Sequence, residues 1–69
     1  MKIIYSYHAE ERMRQRGINE LEAGEILKHP FYIKKSFEGT KEAVGKIENR
    51  VIKIKFIEME NYIKIITVM

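Results

Sequence analysis

The hydrophobic pattern changes period at Phe31. Before it, apolar residues recur at helical intervals; after it, they alternate with polar ones. Residues 2–5 (Lys-Ile-Ile-Tyr) read as a short strand. Ser6 follows as an N-cap, its hydroxyl suited to accept from an orphan first-turn N–H. The helix it starts runs from Tyr7 through Arg16 and stops at Gly17, a residue that takes the left-handed C-cap conformation without steric cost. Its apolar face is thin: Tyr5 or Tyr7, Ala9 and Met13. A second helix starts after Asn19. Glu22 stands three residues on, at capping-box spacing, and Ile18 is placed to staple against Ala23. Leu21, Ala23, Ile26 and Leu27 are expected on its buried side. Pro30 ends it, because the residue before proline avoids helical geometry.

Four strands are expected beyond this point: Phe31–Phe37, Glu42–Glu48, Val51–Met59 and Tyr62–Met69. Turns fall at Glu38–Lys41, Asn49–Arg50 and Glu60–Asn61. In the third strand Ile52, Ile54 and Phe56 alternate with Lys53, Lys55 and Ile57. The last carries Lys64 as its sole charge, which suits a central or well-covered position. The fold class is therefore α+β: a short N-terminal strand and two N-terminal helices packed on a four-stranded antiparallel β meander. The helices are expected to cover one face of the sheet. The other face, studded with lysines, is left as a groove or an interface. No repeat, linker or low-complexity tract divides the chain, so residues 1–69 read as a single domain.

Composition removes several classes of function. A chain of 69 residues buries only about 60% of the surface its unfolded form exposes. That leaves no space for a cofactor domain beside a substrate domain. There is no cysteine, hence no disulfide, thiolate metal site or cysteine nucleophile. With two histidines and scattered glutamates as the remaining donors, and no nucleotide-binding or metal motif, neither cofactor nor metal is expected. Apolar runs are too short for a signal peptide or membrane span, so the chain reads as cytoplasmic with no membrane partner. The formal charge of +3 permits a polyanionic partner without requiring one.

The stretch richest in candidate chemistry is His8-Ala-Glu-Glu-Arg12-Met-Arg-Gln-Arg16-Gly-Ile18. On a helix His8, Arg12 and Arg16 stand at i, i+4 and i+8. Each step of four advances about 40°, so the three share one face. Imidazole can move a proton near neutral pH, and guanidinium can grip a phosphate through two parallel hydrogen bonds. His8 also lies in the first turn, at the positive end of the helix dipole, where a phosphate is favoured. The plainer reading is a solvated, salt-bridged surface. Glu10 and Glu11 can pair with Arg14, and Arg12 and Arg16 can bridge to the sheet. His29, before Pro30, suits a contact with the carbonyls at a helix C-terminus. Lys34, Lys46, Arg50, Lys53, Lys55 and Lys64 are the cations of the strand region, and Tyr32, Tyr62 and Thr67 its hydroxyls. Thr67 breaks an apolar run, either for chemistry or for its strand propensity alone.

The pattern His8-Ala-x-x-Arg12-Met-x-x-Arg16-Gly-Ile18, closed by Ile-Ile-Thr67-Val68, resembles a family of small uncharacterised prokaryotic proteins with an HAxxRMxxRGI N-terminus. That family is similar to RelE- and BrnT-type toxins of toxin–antitoxin systems and to the wider barnase, EndoU and colicin ribonuclease group. The resemblance implies a RelE/barnase-like fold and metal-independent endoribonuclease activity. Cleavage would proceed by attack of a 2′-hydroxyl on the adjacent phosphate, and an antitoxin would be the protein partner. It implies His8 as general base or acid, Arg12 and Arg16 as phosphate ligands, and Thr67 as a hydrogen-bonding group for substrate or imidazole. Arg50, Tyr62, Lys53 and Lys55 are candidate RNA contacts from their place on the sheet. RNA, not DNA, is the nucleic acid expected. The chain departs from RelE-type toxins in relying on a histidine and in lacking a C-terminal helix. A non-catalytic RNA- or protein-binding module that self-associates is the alternative, and a homodimer would cover the edge strands of the meander.

Overall fold

Both helices begin where a side chain meets the unsatisfied first-turn N–H groups. In the computed structural model, which describes residues 2–69, α1 (Tyr7–Arg16) is capped by Ser6, whose Oγ accepts from Ala9 N–H at 3.0 Å. Gly17 ends α1 in the left-handed region, at φ 69°. The capping box of α2 (Glu20–Lys28) is complete: Glu22 N–H donates to Asn19 Oδ1 at 2.8 Å, and Asn19 N–H donates to Glu22 Oε1 at 3.0 Å. Ile18 and Ala23 are both buried, as the staple requires.

The strands are β1 (Lys2–Tyr5), β2 (Tyr32–Lys35), β3 (Lys41–Ile47), β4 (Arg50–Glu58) and β5 (Tyr62–Val68). They form one sheet in the order β1-β5-β4-β3-β2. The α+β class is as the sequence suggests, but the sheet corrects the expected four-stranded antiparallel meander. It has five strands and is mixed, because β1 joins it as an edge parallel to β5. Ile3 and Tyr5 of β1 pack against the core, which draws that strand into the sheet. The whole chain between β1 and β5 acts as the crossover that a parallel pair needs. β5 lies between β1 and β4, the covered position its apolar sequence suggests.

A bulge in β5 decides which side chains are buried. Lys55 pairs with Thr67 and Phe56 with Ile65, so Ile66 has no partner opposite it. The extra residue shifts the alternation by one. Ile65 and Val68, three apart, are both fully buried. With Ile52, Ile54 and Phe56 of β4 they face Ala9, Met13, Ile18, Ala23 and Ile26 from the helical layer. Gly45 of β3 sets how closely α2 lies on the sheet. A Cβ placed there would sit 2.9 Å from Cγ2 of Ile26.

Three local expectations need correction. The first is the Phe31–Phe37 strand, which shrinks to Tyr32–Lys35. Ser36 N–H bonds to Thr40 O, and Thr40 N–H to Phe37 O, closing a 3-10 turn over Phe37–Gly39 with Glu38 left-handed at φ 58°. The second is the hairpin after β3. It turns at Glu48–Asn49 rather than Asn49–Arg50, because Ile47 pairs with Arg50. Glu48 takes a φ of 56° to close it. Third, Leu21 is 78% exposed rather than buried. At about 100° per residue it stands about 160° around α2 from Ala23, on the far side from the sheet. Of the two tyrosines offered for the thin apolar face, Tyr5 is the one packed on the core, and Tyr7 is solvent-exposed. No helix among the described residues is long and apolar enough to cross a membrane.

Candidate nucleic-acid interface

The N-terminus of α1 is fastened to β5 at the bulge. Ser6 N–H donates to Ile65 O at 3.0 Å, and Ser6 Oγ donates to Ile66 O at 2.7 Å. The bulge leaves the Ile66 carbonyl outside the ladder, and the serine hydroxyl satisfies it. His8 stands two residues beyond Ser6, and Thr67 one residue beyond Ile66. The junction joins their two segments but not their side chains: Thr67 pairs with Lys55 and so faces the side of the sheet away from the helices, whereas His8 is carried on α1. His8 is exposed and Thr67 half-buried.

Arg12 and Arg16 continue from His8 along α1. At about 100° per residue, the row lies beside the buried stripe of Ala9 and Met13. Arg12 is half-buried and Arg16 exposed. Among the described residues neither guanidinium forms an ion pair or a hydrogen bond, and the His8 imidazole has no hydrogen-bond partner. The acid–base pairing on this helix is on its outer side, between Glu11 and Arg14. Three groups able to bind a phosphate are therefore left free along one edge of the helix.

Arg50 meets the other end of α1, where its Nη1 donates to the carbonyl of Arg16. A cation at a helix C-terminus is favoured by the dipole there. Part of its donor set is thus already used, and its role includes holding α1 against the start of β4. Tyr62 lies elsewhere. It is five residues from Thr67 along β5, about 16 Å at about 3.3 Å per residue. It is half-buried, and pairs with Lys2 at the opposite end of the strand.

Lys53 and Lys55 are on the sheet face opposite the helices, since Ile52, Ile54 and Phe56 between them are buried on the helical side. Strand register places Lys34, Lys46 and Lys64 on the same face. One row crosses four strands there: Thr67, Lys55, Glu42 and Lys34 are successive partners. Glu42 is the single carboxylate in this row and stands 3.6 Å from Lys34 Nζ. Its register between Lys55 and Lys34 is visible only once the strands are aligned. Sequence alone identified these lysines but not the carboxylate among them.

His29 is the C-cap of α2, as its position before Pro30 suggests, and its backbone N–H donates to Glu25 O at 2.9 Å. Its side chain lines a shallow cleft with Glu22, Glu25, Phe31 and Lys46, away from His8. Among the described residues no three histidine or acidic side chains converge as a metal site. Tyr5 also lies outside the row. Its hydroxyl donates to Glu20 O at 3.2 Å, and burial, followed by the Glu20 carboxylate, raises its pKa above the ordinary tyrosine value.

Fold and site define a small α+β protein with a free His/Arg row on one helix and a lysine-bearing open sheet face. A family model described as "Domain of unknown function (DUF4258)" matches residues 5–69, and the chain belongs to that family. No curated protein and no solved structure gives a significant match.

Proposed function

We propose that the chain is a toxin-like, metal-independent endoribonuclease, acting as the toxin of a type II toxin–antitoxin pair. The observation that carries the reading is the row of His8, Arg12 and Arg16, unpaired among the described residues and rooted at the junction of α1 with β5. The resemblance of the HAxxRMxxRGI segment to families similar to RelE- and BrnT-type toxins supports it.

In this reading His8 takes the proton from an RNA 2′-hydroxyl as that oxygen attacks the adjacent phosphorus. The bond to the 5′-oxygen breaks, and that oxygen takes up a proton as it leaves. Arg12 and Arg16 neutralise the extra negative charge on the phosphoryl oxygens. Thr67 bonds to the substrate. Lys53, Lys55 and Arg50 hold the flanking backbone electrostatically. The products are a 2′,3′-cyclic phosphate and a 5′-hydroxyl, and the scheme uses no metal.

One observation favours binding without cleavage: His8 lacks an orienting hydrogen bond among the described residues. A single assay separates the readings. Purified wild type and His8→Ala are incubated with single-stranded RNA in EDTA, and product ends are analysed. Cyclic-phosphate ends made by wild type and lost in the variant are the expected result. RNA bound in a salt-dependent way but left intact by both proteins would replace the enzyme with a binding module.

A further inference from the structure

The outer edge of β2 concentrates the exposed apolar surface of the molecule. Phe31, Tyr32, Ile33 and Phe37 are 65%, 52%, 48% and 83% exposed. They occupy the free edge of the sheet, because β2 pairs with β3 alone.

The backbone there is also free to pair. Ser36 N–H points inward to Thr40 O. Inward bonding alternates along an antiparallel ladder, so Lys34 and Tyr32 bond inward and Ile33 and Lys35 present N–H and C=O outward. Phe31 N–H also turns inward, to Val44 O at 2.7 Å. An edge of this kind is a template for another strand.

We infer that the edge is completed by a second copy of this chain, through antiparallel β2–β2 pairing about a two-fold axis at Ile33. Three symmetric registers satisfy the outward groups. An axis at Lys34 sets Lys34 against its own copy, and like charges directly opposite are unfavourable. An axis at Lys35 does the same with Lys35. An axis at Ile33 sets Ile33 against Ile33, Tyr32 against Lys34 and Phe31 against Lys35. Each lysine then meets an aromatic ring, a favourable contact for both stem and ammonium. The lysines thus select the register.

The area is that of a weak, transient dimer. At about 200 Å² for a large side chain, Phe31, Tyr32 and Ile33, the exposed apolar residues inside the paired segment, offer on the order of 330 Å² per copy. Two copies cover about 660 Å² of apolar side chain, the size of a weak, transient contact, so the dimer is expected to form only at high protein concentration. The lysine-bearing faces of the two copies would lie on the same side of one ten-stranded sheet, since strands of one sheet share its faces.

The chain has no cysteine, so a single introduced thiol reports the register directly. Residues facing each other in a hydrogen-bonded antiparallel pair have Cα atoms about 5.5 Å apart, within disulfide range. Under mild oxidation Ile33→Cys should form a covalent dimer at least about tenfold faster than Val51→Cys, an exposed site on β4. Sedimentation of wild type should show a concentration-dependent monomer–dimer equilibrium, weakened at least about tenfold by Ile33→Lys. Ile33 is half exposed, so the variant should fold, and circular dichroism checks this. A wild type that stays monomeric up to about 1 mM would overturn the inference. So would equal cross-linking of the two cysteine variants, or a dimer indifferent to Ile33→Lys. None of these outcomes depends on RNA cleavage.

Discussion

Ser6 and Ile66, sixty positions apart, are joined by a 2.7 Å hydrogen bond from the serine hydroxyl to the isoleucine carbonyl. The same oxygen accepts from Ala9 N–H, so one side chain caps α1 and holds it to β5. Ser6→Ala removes both bonds and leaves the Ile66 carbonyl unsatisfied. We expect a loss of about 1–3 kcal/mol in urea unfolding. Ser36 precedes the 3-10 turn without a side-chain cap bond. Its alanine variant should stay within about 0.5 kcal/mol of wild type, and equal losses at the two serines would refute the double role of Ser6.

Ile26 of α2 packs directly over Gly45 of β3. Gly45→Ala should destabilise by about 1–3 kcal/mol, since the new methyl group forces Ile26 to shift. Ile26→Ala alone should cost about 2–5 kcal/mol through the cavity it leaves. The double variant should lose less than the sum, because each change relieves the other. Strict additivity in a denaturant cycle would show that the two residues do not share this space.

Tyr5 supplies a pH dependence whose sign follows from its raised pKa. The folded state holds the phenolic proton to higher pH than the unfolded chain, whose tyrosine pKa is about 10. Its contribution is intact below that value and is lost as pH rises through the folded pKa. Thermal midpoints should fall less steeply above about pH 10 in Tyr5→Phe than in wild type. Identical slopes would place the alkaline loss in other groups.

Arg12 and Glu42 test the electrostatics of the proposed RNA contact from opposite directions. Arg12→Ala should weaken binding to single-stranded RNA and reduce the salt slope by about one. Glu42→Gln removes the carboxylate between Lys55 and Lys34 and should tighten low-salt binding several-fold. Fluorescence anisotropy across a salt series measures both. If neither substitution changes the affinity, RNA does not contact these surfaces.

The helices were legible in the sequence because their determinants are local. Ser6, Asn19 with Glu22, Gly17 and Pro30 each act within a few residues, and the observed ends follow them. The His8/Arg12/Arg16 row was legible for the same reason, as a matter of helical spacing. The sheet was less so. Nothing in Lys-Ile-Ile-Tyr encodes a parallel partner sixty residues away. The run Ile65-Ile66-Thr67-Val68 has no alternation to reveal which residue bulges. Leu21 shows a different failure, in which hydrophobicity was read without the angle it occupies on the helix. The attachment of α1 to β5 depends on the Ser6 clasp, a contact between two segments that are each individually readable but not jointly so.

The parallel pairing of β1 with β5 also orders events during synthesis. A ribosome releases Lys2–Tyr5 first, yet its partner strand, Tyr62–Val68, emerges almost sixty residues later. Until then α1 has neither its clasp at Ile66 nor the Ile65 and Val68 side chains it packs on. The β2–β3–β4 hairpins can pair while the chain is still growing, but the His8 end must wait. A nascent chain that stops short of β5 carries every residue of the His8/Arg12/Arg16 row and still lacks the strand that holds it in place.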